Sequence, residues 1–289
     1  MLGVGFGLVT ASIVALSTVA MSLQFSVTRT INFAHGELMT VGAYAAYLVA
    51  KSTSDLPLQA VAAMAAGAAL GWVLNVALFQ PFVRRNATKL VIFVLSVAAS
   101  FIIQNILQIG FGGSYVDYQA GSTTAYNVGP FQWTAMDIVT MVVAVVVLVV
   151  LHLTIRRTKF GKAQRAVADD VLLARTTGVG AQRIIAFTWL LDGAIAGLAG
   201  MLLAAQVGSF TPTLGFGYLL VIFSAAIVGG IGQMYGAMLG ALVIGLVMEV
   251  SAVYVNPSYK ESMAFLILVA VLLFRPQGIV TALSESNAQ

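Results

Sequence analysis

The chain has 289 residues, 60% of them hydrophobic and 8% charged, with a mean hydropathy of +0.98. That composition excludes a water-soluble domain, since about 20 apolar residues in a helix cross the hydrocarbon core and several such runs occur. The net charge of +4 does not point to nucleic acid because the basic residues sit in short loops; zero cysteines exclude disulfides, and two histidines alone speak against a zinc site.

Residues 2–23 are apolar from the start and lack the basic leader of a secretory signal, which predicts a retained first span. Arg29 follows, then TINFAHGELMTVGAYAAYLVA, a second span ending at Lys51. The third runs from Pro57 to Pro81, ahead of Arg84, Arg85 and Lys89, and the fourth from about Leu90 to Gly110. A Gly- and Ser/Thr-rich loop without Lys or Arg (112–133) leads to a valine-rich fifth span, about Ala135 to Leu153. After a basic segment come the sixth (Ile184–Gln206), the seventh (Tyr218–Val228), an eighth ending before Pro257, and a short ninth (Met263–Phe274). The pattern predicts an all-α, polytopic bundle of about eight to nine spans forming one domain, 1–289. Glycine crowding makes the second and seventh spans the ones expected to be broken or re-entrant.

Charge sets an expected orientation. With the N-terminus outside and the C-terminus inside, inner loops hold twelve of fourteen basic residues, leaving Lys51 and Lys260 outside. Seven of the twelve fall between Arg156 and Arg183, where Ala163, Ala166, Asp170 and Ala174 share one face of an expected short helix bounded by Gly161 and Gly178. Two readings stand for this segment: a docking surface for another protein, or a basic loop that only obeys the positive-inside rule.

No catalytic motif occurs. The chain has no Walker A loop, no dinucleotide fingerprint, no H-E-x-x-H and no nucleophile elbow. This predicts a non-enzyme that itself uses no metal and no cofactor. Polar residues at membrane depth are few. Asn32, His35 and Glu37 cluster at the entry of the second span, where they either cap a helix or line a substrate pathway. Asp192 in the sixth span and Glu249 in the eighth are intramembrane acids, which face the bundle interior or water. Each reads as a substrate ammonium partner, a proton carrier, or a group hydrogen-bonded to a neighbouring helix. Asn75, Gln104 and Asn105 read as interhelical contacts.

The motif N-F-A-H-G-x₅-G-A-Y (Asn32–Tyr44) resembles a signature of the permeases of branched-chain amino acid ABC importers. Gly161, Arg165, Ala166, Asp170, Ala174 and Gly178 are similar to the cytoplasmic loop of that family, and AGLAG, VGGIGQMYGAMLG and FRPQGIV extend the resemblance over nearly the whole chain. It resembles the LivH-type subunit more than the LivM-type, whose N-terminal region is longer. The resemblance implies a bacterial plasma-membrane subunit that pairs with a LivM-type permease, docks two ABC ATPase subunits through 156–183, and receives substrate from an extracytoplasmic binding protein. It implies that ATP is used by those partners and not by this chain. Leucine, isoleucine and valine are the expected cargo, with urea, amides or other amino acids as the alternative. An ion-coupled secondary transporter using Asp192 and Glu249 is the reading from a different class.

Overall fold

A computed structural model describes residues 2–118, 125–128 and 131–274. The terminal FRPQGIV motif beyond Phe274, with Arg275, lies outside them. The first helix, α1 (Leu2–Thr28), is followed by a non-helical connection, 29–34, that ends in a turn, and by the short α2 (His35–Ala50). Next, α3 (Leu56–Val73), a π-helical turn (Leu74–Phe79) and α4 (Gln80–Arg84) run on as one rod. Then come α5 (Lys89–Phe111), strands β1 (Val116–Asp117), β2 (Ala125–Val128) and β3 (Phe131–Thr134), and α6 (Ala135–Arg157). The basic segment forms α7 (Lys159–Asp169) and α8 (Val171–Thr176). The described residues end with α9 (Ala181–Val207), β4 (Ser209–Phe210), α10 (Leu214–Gly229), α11 (Met234–Tyr254) and α12 (Lys260–Phe274).

Six of these helices, counting 56–84 as one, are long and apolar enough to cross a bilayer. The helices α2 and α10, with 16 residues each, are not, nor is α12 over its 15 described residues. The nine apolar runs read from the sequence are therefore all helical, but they are not nine full-length spans. The third is also longer than expected. Pro81 sits in the first turn of α4, and the wider π turn just before it relieves the clash of its ring with the carbonyl four residues back.

The bundle repeats itself with the sense reversed. One set comprises α1, α2, the α3–α4 rod and α5; the other comprises α9, α10, α11 and α12. The leading helices both have 27 residues, and each is followed by a 16-residue helix. Packing exchanges between the sets, α1 lying chiefly on α11 and α3 on α9. The two short helices meet at their N-terminal turns, where Gly36 and Gly215 touch backbone to backbone and the Gly215 N–H donates to Thr40 Oγ1 at 3.0 Å. From there they diverge. The C-terminal part of α2 packs Tyr44 and Tyr47 against Phe210 beside the β1–β4 pair, whereas the turn after α10 puts Gly232 against Phe25 near the end of α1. Thus α2 runs to one end of the bundle and α10 to the other.

Glycine makes this packing possible where rods cross. A Cβ on Gly67, Gly193 or Gly200 would fall on the backbone of Gly193, Gly67 or Met39, so α3 and α2 approach α9 without side chains between them. In lipid, where apolar side chains gain nothing by leaving the solvent, such close approach is what holds helices together.

Candidate functional site

The polar residues of the second span converge where the short helices meet. The connection between α1 and α2 reaches this level because Asn32 accepts the Ala34 N–H at 3.0 Å and donates to Gln24 Oε1, while Ser96 of α5 accepts the Phe33 N–H at 3.1 Å. Asn32 thus folds the turn before α2; the helix N-cap is Ala34, which has no side-chain acceptor. One residue on, His35 bridges three helices. Its Nε2 lies 2.8 Å from Ser17 Oγ of α1, and its Nδ1 lies 3.2 Å from Asp192 Oδ1 of α9 without hydrogen-bond alignment. Both side chains of the His35–Asp192 pair are fully buried. Glu37 faces the other way, its Oε1 accepting from Ser100 (2.9 Å) and Gln104 (2.8 Å) of α5.

The cluster therefore ties α2 to α1, α9 and α5 at half-height, since Ser17 is near the middle of α1. It also leaves capacity unused: Glu37 Oε2 and Asp192 Oδ2 have no hydrogen-bond partner. Burying two acids at this depth is costly unless they are paired, and the first turn of α2 adds a favourable dipole for Glu37. The expected interhelical role of Gln104 appears here, in a network with Glu37 that the sequence did not indicate. Asn105 is exposed and bonds only back to Phe101 O, and Asn75 is buried in the π turn.

Glu249 lies apart from this cluster. Its carboxylate accepts from Lys260 Nζ at 2.7 and 2.8 Å and from Thr10 Oγ1 at 2.9 Å, linking α11, α12 and α1. The positive charge that a substrate ammonium would supply is already provided within the chain.

The basic segment is the second candidate, and it departs from the single expected helix. Asp170 breaks it, taking an extended conformation and accepting the N–H groups of Leu172 (2.7 Å) and Leu173 (3.0 Å) as the N-cap of α8. Gly161 is inside the first turn of α7, where any Cβ would strike the Ile155 backbone; this lets α7 fold back on the end of α6. Arg165 stitches that fold by donating to Ile155 O at 3.1 Å. Gly178 turns the chain after α8 with φ of +85°, the left-handed region glycine tolerates. Ala166 and Ala174 face inward onto a small core with Val27, Val167 and Ala181. The small-residue face is thus taken up in part by the chain's own packing: Ala174 is buried, Ala163 and Ala166 are half-buried, and Asp170 is exposed. What α8 turns outward instead is Leu172 and Leu173, 73% and 63% exposed in the most charged part of the molecule. The adjacent pair of leucines between charged flanks was the available signal for them.

Apolar rods, two short helices meeting at half-height around enclosed polar groups, and a structured basic segment at one end define a multi-pass helical membrane protein of the transporter type. A family model described as "Branched-chain amino acid transport system / permease component" matches residues 3–272, and the chain belongs to that family. It is 30% identical over 288 residues to the high-affinity branched-chain amino acid transport system permease protein LivH of Salmonella typhimurium, covering 95% of this chain and 93% of that one. To the corresponding protein BraD of Pseudomonas aeruginosa it is 31% identical over 293 residues, with the same shares. It is also 26% identical over 277 residues to the ribose import permease protein RbsC of Escherichia coli, covering 91% and 82%. No solved structure matches the chain.

Proposed function

We propose that this chain is the LivH-type permease subunit of an ATP-driven importer for branched-chain amino acids in a bacterial plasma membrane. It forms the pathway with a second, LivM-type permease and couples to two ABC ATPase subunits, while an extracytoplasmic binding protein delivers the substrate. ATP is hydrolysed by those partners; this chain catalyses nothing. The single observation that carries the reading is the family match over nearly the whole chain. The basic end is then cytoplasmic, as the positive-inside count requires.

The α7–α8 segment is the ATPase-docking element. Gly161, Arg165, Ala166, Asp170, Ala174 and Gly178 build the scaffold, and Leu172 and Leu173 are the anchors that enter a partner's pocket. Exposed leucines ringed by charge have the make-up of an interface core with a polar rim. Asn32, His35, Glu37 and Asp192 act from inside, setting where the half-helix α2 starts beside the pathway. The ribose permease among the relatives favours one second reading: the same frame with a different small polar cargo.

The test uses the assembled importer in proteoliposomes. Leu172→Asp/Leu173→Asp should leave insertion and pairing with the second permease intact, yet reduce ATPase retention and substrate-stimulated hydrolysis by on the order of tenfold or more, the cost of losing a buried anchor. Retention and stimulation equal to wild type would remove α8 as the coupling element. Cargo is decided separately, by which amino acid, amide or sugar bound to the binding protein stimulates hydrolysis.

A further inference from the structure

We infer that the groove between α6 and α11 is a binding site for one anionic phospholipid, with the headgroup phosphate held at the basic end. The inference is independent of cargo and of the ATPase reading.

Two hollows in line along α6 and α11 carry it, their nearest lining residues on α6, Leu148 and His152, one helical turn apart. At the basic end a cleft of about 710 Å³ lies between the end of α6, α7 and the turn into α11. Arg156, Arg165 and Gln164 line it, with the hydrogen-bonded pair His152 Nδ1 and Tyr235 Oη, 2.7 Å apart. Among the described residues neither arginine has a carboxylate partner, although Asp169 stands at the same cleft. Gln164 is buried, yet its Oε1 has no hydrogen-bond partner. Its amide can turn to present either a donor or an acceptor to an occupant. The first turn of α11 opens into this cleft with no side chain capping it, a further set of N–H donors for an anion.

The second hollow is apolar. A groove of about 310 Å³ runs along α6 and α11, floored by α1, and is lined by Met141, Val145, Leu148, Met238 and Leu242. On α6 it continues the same stripe that ends in the cleft, because Val145, Val149, His152 and Arg156 follow one another at four, three and four residues. Val145 and Val149 are exposed. From His152 to Met141 is about 16 Å of helix, close to the roughly 15 Å depth of one leaflet's hydrocarbon. A free phosphate or nucleotide would use the cleft and leave the groove empty; a phospholipid uses both. Basic pockets between helices at the membrane surface bind anionic headgroups in this way.

The test is native mass spectrometry of the delipidated full-length chain, titrated with phosphatidylglycerol, phosphatidylcholine or inorganic phosphate. One phosphatidylglycerol should be retained in preference to phosphatidylcholine. Arg156→Gln and Arg165→Gln should each weaken retention about fivefold, and together about twenty-five-fold, the contribution of one surface cation each. Arg157→Gln/Lys159→Gln, which removes equal charge outside the cleft, should change it less than twofold. Met238→Trp, which fills the groove, should weaken the lipid as well. Equal losses from the Arg157/Lys159 pair would overturn the site in favour of diffuse attraction. Displacement of the lipid by millimolar phosphate, or full retention in Met238→Trp, would overturn the lipid assignment.

Discussion

At the scale of single residues, the buried pair His35–Asp192 shows how an intramembrane acid is accommodated. Asp192 Oδ1 has the His35 imidazole Nδ1 3.2 Å away, an ion pair when the ring carries its second proton. Removing one member of such a pair leaves an uncompensated group, at about 3 kcal/mol or more, whereas replacing both with apolar residues restores most of the loss. His35→Leu is therefore expected to lower thermal stability sharply, and His35→Leu/Asp192→Leu to recover it. Melting of detergent-solubilised variants measures both. If the double variant is as unstable as the sum of the single ones, the two side chains are not coupled. The sequence marked each residue as a polar group in an apolar run, but 157 positions separate them (192 − 35), and no local spacing could join them.

Among elements, the helices themselves were legible because length, hydropathy and glycine content act locally. All nine apolar runs are helical, and the two expected to be broken are short half-helices. The basic segment was less legible. Asp170 fits both a helix face and an N-cap, and only the packing of Ala166 and Ala174 against α1 and α9 decides between them. Partner choice among helices was not legible at all, since it depends on which glycines oppose which. That choice can be tested. Gly193→Ala would press a methyl onto Gly67, and overpacking between backbones costs on the order of 2 kcal/mol or more. Gly217→Ala, in a helix with open space around it, should be neutral or stabilising by about 0.5 kcal/mol. The difference in melting temperature between the two variants is the readout, and equal destabilisation would mean that α3 and α9 can part without cost.

For the molecule as a whole, the charge count makes one claim about sidedness. The absence of cysteine makes it easy to check. Ser114 and Thr176 are exposed, at opposite ends of the bundle. In intact cells a cysteine at Ser114 should react with a membrane-impermeant maleimide, and one at Thr176 only after permeabilisation. The reverse pattern would invert the orientation.

The meeting of Gly36 with Gly215 has a consequence for how the protein is made. A 16-residue helix that begins with His35 and Glu37 and follows a non-helical connection is a poor candidate for insertion on its own. The groups that satisfy it are Ser17, already synthesised, then Ser100 and Gln104, and last Asp192 and Gly215. At roughly 5 to 20 residues per second, a ribosome takes about 8 to 30 s to go from His35 to Asp192. For that interval the N-terminal half waits in the membrane with a histidine lacking its acid and a helix start lacking its cover. Biogenesis is therefore ordered by the later half: the chain becomes a bundle only when α9 and α10 arrive to close the one already there.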